Sequence, residues 1–95
     1  MKLVINAKHG GFSLSVEAIQ ELKSLGFAGS RVFWTDDVQS RADPRLVAVV
    51  EKLGSDRASG PHARLKVVEI PDGIQVTIEE YDGLESVAER HRTWY

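Results

Sequence analysis

The sequence predicts an α+β fold: a small antiparallel β-sheet packed with two to three short helices, one of them C-terminal. Three observations lead there. Apolar residues recur at helical spacing over residues 13–26 and 41–54. Short apolar or alternating runs at 2–7, 64–70 and 74–81 read as strands. The order is β-α-(β)-α-β-β-α, which favours an antiparallel sheet with helices on one side or end over a parallel one.

The first strand, KLVINA (2–7), places Leu3 and Ile5 on one face and Val4 and Asn6 on the other. Lys8-His9-Gly10-Gly11 turns the chain, and Phe12 follows. In the helix over 13–26, Ser13 or Ser15 serves as N-cap and Glu17 favours the positive helix end. Leu14, Ala18, Leu22 and Leu25 form its inner stripe, and Gly26 stops it. Val32-Phe33-Trp34 reads as a short strand before an Asp36-Asp37 turn. RADPRLVAVVEKLG (41–54) gives the clearest local signal. Asp43 caps, Pro44 occupies the first helical position, Leu46, Val49, Val50 and Leu53 make the stripe, and Gly54 ends it. Residues 55–63 read as a loop. The strands 64–70 and 74–81 are joined by a Pro71-Asp72-Gly73 reversal. After a second turn at Asp82-Gly83, residues 84–91 read as a short helix delivering Arg92 and Trp94.

At 95 residues the chain is one domain, 1–95. A chain of this length buries roughly 60–65% of its unfolded surface, so a pocket for a sizeable ligand is expected between subunits rather than within one. The formal net charge of −2 lacks the basic footprint of a DNA-binding protein. With no cysteine, disulfides, thiolate metal sites and a cysteine nucleophile are excluded. The N-terminal apolar run, broken by Asn6 and Lys8, is too short for a signal-peptide core, and no segment is long enough to span a membrane.

Candidate chemistry is sparse. Lys8-His9-Gly10-Gly11 sits where a phosphate cradle would, between strand and helix. It lacks both the P-loop and the dinucleotide-binding spacing, and a turn needing positive φ explains it equally well. His9, His62 and His91 show no metal-binding spacing. Glu79 and Glu80, adjacent on a strand, point to opposite faces and do not converge as an acid–base pair. Arg41, Arg64, Lys66 and Arg92 can form an anion site, and Arg64 and Lys66 share one strand face. Guanidinium forks match phosphate oxygens, and a neighbouring aromatic ring suits a base. A scatter of surface cations is the plainer explanation of the same residues.

Taken together, INAKHGGFSLS, RADPRLVAVVEKLG, LKVVEIPDG and EEYDGLESVAERHRTW resemble a family of small phage proteins, the Thoeris anti-defence sponges that sequester cyclic ADP-ribose signals. The resemblance covers most of the chain and is weakest over 27–40 and 55–63. It implies a protein that is not an enzyme and uses no cofactor. Such a protein binds the cyclic ADP-ribose isomer made by bacterial TIR-domain proteins, in the cytoplasm of the infected host, and holds it intact. It further implies homodimers with pockets at the dimer interface and, in some members, hexamers built as trimers of dimers. Some members also bind cyclic trinucleotides of the CBASS system at a separate site. On this chain the matching ligand positions are Arg41 and Arg92 for the pyrophosphate, with Phe12 and Gln75 near adenine. Gln75 stands where the family carries an asparagine. His91, Lys66 and Trp94 complete the expected ligand surroundings, with Trp94 at the pocket edge or dimer seam. The residues alone leave two rivals open: an enzyme cleaving a nucleotide phosphodiester through His9 or His91, and a protein-interaction module anchored by Trp94 and Tyr95.

Overall fold

In the computed structural model, which describes residues 1–27 and 37–89, the chain runs β1 (Lys2–Asn6), α1 (Val16–Ser24), α2 (Val38–Arg41), α3 (Pro44–Ala58), β2 (Leu65–Glu69), β3 (Val76–Tyr81) and β4 (Leu84–Glu89). The α+β class holds. The strands form two antiparallel pairs, β1 with β2 and β3 with β4, rather than one sheet.

β1 explains the layering. Leu3, Val4 and Ile5 are all buried, so the strand needs cover on both faces. Val4, with Leu65 of β2, packs against Ala18 and Leu22 of α1 and Leu46, Val49, Val50 and Leu53 of α3. Leu3 and Ile5 on the other face meet Ile78 of β3, with Val38, Val68, Val76 and Val87 around them. The β1–β2 ribbon therefore lies between a helical layer and the β3–β4 hairpin. Its register is set by Lys2 opposite Glu69 and Asn6 opposite Leu65.

The expected helix starts hold. Ser15 Oγ accepts from the Ala18 amide at 3.0 Å to cap α1. Asp43 Oδ1 accepts from the Arg45 amide at 2.9 Å to cap α3, with Pro44 in the first helical turn. Gly54 ends the first stretch of α3 as expected, but a second stretch follows it. The glycine kinks the helix (φ 80°, ψ 166°), and helical backbone resumes through Ala58, so residues 55–58 are helix and not loop.

Two further expectations are corrected. Pro71-Asp72-Gly73 does not join a hairpin: β2 pairs with β1, and the segment carries the chain from one ribbon to the other. The apolar, doubly covered β1 takes β2 as its partner, with Met1 and Ile70 extending the ladder. The C-terminal helix is absent as well, since residues 84–89 are strand β4. Leu84, Val87 and Ala88 mimic a helical i, i+3, i+4 stripe, but the turn before them decides. Asp82 (φ 51°) and Gly83 (φ 87°) are both left-handed, the two-residue turn whose twist matches paired antiparallel strands, and Tyr81 lies directly opposite Leu84. The strand expected at 32–34 and the end of the expected helix at 90–91 lie outside the described residues. Among those described, no helix is long and apolar enough to cross a membrane.

Gly83 has a second constraint. A Cβ there would lie 2.2 Å from the Gly11 amide nitrogen, whereas one on Gly73 (φ 83°) would meet nothing within 4 Å. Gly73→Ala is expected to cost about 1–2 kcal/mol of backbone strain. Gly83→Ala should cost clearly more in chemical denaturation, because strain and clash add. The α3 cap also predicts a pH dependence. Side-chain hydrogen bonding from Arg45, outweighing burial, holds the Asp43 carboxyl below the usual range. Its contribution is present above the unfolded-state pKa and is lost as pH falls through the folded-state value. The stability gap between wild type and Asp43→Asn should therefore shrink on acidification.

Candidate functional site

Two constellations stand out, one sealed and one open. The sealed one forms where β4 meets β1. Arg41, at the end of α2, is fully buried, and Glu85 of β4 nearly so. The guanidinium grips the carboxylate with both forks, Nη1 to Oε1 at 2.5 Å and Nη2 to Oε2 at 2.7 Å, and donates to the Val4 carbonyl at 3.2 Å. Its Cζ lies 3.8 Å from the centre of the Phe12 ring. Glu85 Oε1 also accepts from the Asn6 amide at 2.8 Å. The buried Asn6 side chain donates to the carbonyls of Lys8 (2.7 Å) and Gly83 (2.8 Å) and accepts from the Arg64 amide (2.8 Å). Each buried polar group named here has a partner, as a buried ion pair requires.

This bears on Arg41 and Phe12, both placed near the ligand by resemblance. As folded, the guanidinium is spent on Glu85 and the ring is stacked beneath it. A phosphate could take that guanidinium only by breaking the pair. Sequence reasoning missed Glu85 and Asn6. The signal for Glu85 was its place on the same strand face as Val87, an inward carboxylate that needs a cation.

The glycine turn is likewise occupied. The Gly10 amide donates to Asp82 O at 3.2 Å, and Gly83 abuts the nitrogens of Gly10 and Gly11. The Gly10 amide thus faces the hairpin. His9 Nδ1 lies 3.2 Å from the same carbonyl, and its ring meets the edge of the exposed Tyr81 ring.

The open constellation is a cleft of ≈ 600 Å³ between the end of β1 and the C-terminal part of α3, lined by Ala7, Lys8, Ser55, Asp56, Ser59, Gly60, Pro61, Ala63 and Arg64. A second groove of ≈ 380 Å³ adjoins it along β2, lined in part by Val50, Glu51, Lys66 and Val67 and sharing Ala7, Ser55 and Arg64 with the first. Charge distribution singles this region out. Among the described residues Lys2, Arg41, Arg45, Lys52 and Arg57 are each paired with a carboxylate. Lys8, Lys23, Arg64 and Lys66 are not, and all of these except Lys23 line the cleft or its groove. The expected pairing of Arg64 with Lys66 on one side of the strand is thus brought to a cavity, though Asp56 lies there too.

One atom in this region is anomalous. Ser55 Oγ is shut from solvent with no hydrogen-bond partner among the described residues. Such an orphan costs about 1–3 kcal/mol. Its backbone is held firmly: Ser59 Oγ donates to the Ser55 carbonyl and accepts from the Leu65 amide at 2.8 Å. Sequence reasoning left Ser55 in a loop. Gln75 is exposed just before β3, away from this cleft's lining. Arg92, His91 and Trp94 lie outside the described residues. No three His, Asp or Glu side chains converge among those described.

Comparison of the chain with known protein families, with characterised proteins and with solved structures gives no match.

Removing one partner of the sealed pair strands a buried charge. Arg41→Met or Glu85→Ala alone should cost about 3–5 kcal/mol in denaturant unfolding. The double variant Arg41→Met/Glu85→Met should cost much less than the sum of the single changes.

Proposed function

We propose that this protein captures a small nucleotide-derived anion, a cyclic ADP-ribose isomer, and holds it uncleaved, as a phage sponge against Thoeris signalling in the host cytoplasm. The observation that carries this reading is the gathering of unpaired cations at one cleft (Lys8, Arg64, beside Asp56) and the groove that adjoins it (Arg64, Lys66), while the other described cations, Lys23 apart, are neutralised. Leaving like charges unpaired around a cavity costs stability unless an anion arrives to meet them. The cleft volume also falls within the usual range for small-molecule sites. The sequence resemblance to the sponge family supplies the ligand's identity.

Affinity sets a further requirement. A sponge must outcompete a receptor, so Kd near 1 nM, about −12 kcal/mol, is needed. A ligand of roughly 35 heavy atoms gains only about 0.3 kcal/mol per atom, so it has to be nearly enclosed. We assign the closure of the cleft to a second copy of the chain, and Arg92 and Trp94 stay ligand contacts implied by the resemblance. A homodimer, with hexamers as a higher assembly, belongs to the proposal. The same cleft would accept cyclic trinucleotides only if it were larger, which leaves those to a separate site. Arg41, on this reading, supports the site from behind by fixing β4, the strand that leads to Arg92.

Calorimetric titration with the cyclic ADP-ribose isomer should give tight binding. Heating the complex should then release a ligand of unchanged mass. A converted product would replace the sponge with an enzyme, and no binding at micromolar ligand would end the proposal.

A further inference from the structure

We infer that Ser55 and Arg64 form the phosphate-reading element of the cleft, an inference that rests on the proposed nucleotide capture. The argument begins with the junction. Ser55 and Arg64 line both the cleft and the adjoining groove, Lys8 lines only the first and Lys66 only the second. An anion at the junction would meet Ser55 and Arg64, with Lys8 on the cleft side, Lys66 on the groove side and the carboxylate of Asp56 in the cleft wall.

Ser55 supplies the independent observation. A buried hydroxyl without a partner is rare in folded proteins and points to an absent oxygen or nitrogen. Serine turns about one χ angle between staggered positions, and the inference places Oγ in the cleft that Ser55 lines once an anion is bound. There the hydroxyl donates to a phosphate oxygen, a charge-assisted bond stronger than a neutral one. The backbone on both sides is fixed in advance. Ser59 holds Ser55, while the Arg64 amide donates to Asn6 and its carbonyl accepts from Ala7. With the backbone pinned, binding the anion orders only the side chains.

The test compares wild type with Ser55→Ala, Arg64→Gln and Lys23→Gln, using the cyclic ADP-ribose isomer, inorganic pyrophosphate and adenosine as probes. Ser55→Ala removes an orphan, so the ligand-free protein should keep or raise its Tm while both phosphate-bearing probes bind about tenfold or more weakly. Arg64→Gln should weaken them at least as much. Lys23→Gln, which changes charge outside the cleft, should leave them unchanged, and adenosine should bind poorly throughout. Wild-type affinity in Ser55→Ala would overturn the inference. So would a lowered Tm with binding intact, the signature of a structural water on Oγ, or a loss in Lys23→Gln equal to that in Arg64→Gln. Pyrophosphate separates the two levels of the reading. If it binds in a Ser55-dependent way while the cyclic isomer does not, the junction stands and the sponge assignment falls. If the isomer binds with no dependence on Ser55 or Arg64, the sponge stands and the junction falls.

Discussion

A guanidinium sealed from water has to keep its carboxylate, and in this protein that necessity organises the fold. Arg41 arrives from α2, Glu85 from β4, and the amide that completes the carboxylate's shell from Asn6 of β1. Coulomb attraction alone would not repay the desolvation of both ions. The added bonds to Val4 O and Asn6 N and the Phe12 ring against the guanidinium face make the pair tolerable. The β3–β4 hairpin has only a small apolar cluster. That cluster is shared with Leu3 and Ile5 of β1, and the polar contacts add to it a geometry stricter about angle and distance than hydrophobic contact is.

Asn6 transmits that strictness to the cleft. The side chain that receives the Arg64 amide also binds Gly83 and Lys8 carbonyls, and its backbone amide meets Glu85. Lys8 and Arg64, two of the cations facing the cleft, are thus set by the same residue that anchors the ion pair. The interior network and the exposed charges are one mechanical unit. A loosened hairpin would be felt at the cleft wall without any change in the residues that line it.

Local signals in the sequence were legible wherever they acted over a few residues. Ser15, Asp43 and Pro44 start helices as their chemistry dictates, and the apolar runs of β1, β2 and β3 are strands. What the sequence hid depends on pairing across long separations. Nothing local tells β2 to choose β1 over β3, and Leu84, Val87 and Ala88 fit a helix until the Asp82-Gly83 turn fixes them as strand. The site was half visible for the same reason. Arg64 and Lys66 share a strand neighbourhood that can be read from their spacing. Glu85 as the partner of Arg41, 44 residues away, and Ser55 as a buried orphan emerge only from the fold.

The Asn6 contacts have a consequence for the order in which the protein takes shape. The amide bond to Glu85 spans 79 residues and the side-chain bond to Gly83 spans 77, and the strand that β1 pairs with among the described residues, β2, begins only at Leu65. Such closures exact chain entropy before they return any contact energy. The helical pair α1–α3 can form early on its own apolar stripe. The apolar β1 is synthesised before every element it packs against and must wait for β4 to complete its contacts. Until β2 and β3 are synthesised, β1 has neither its ladder partner nor the cover of Ile78, and in this interval a nascent chain of this sequence is open to chaperones and to aggregation.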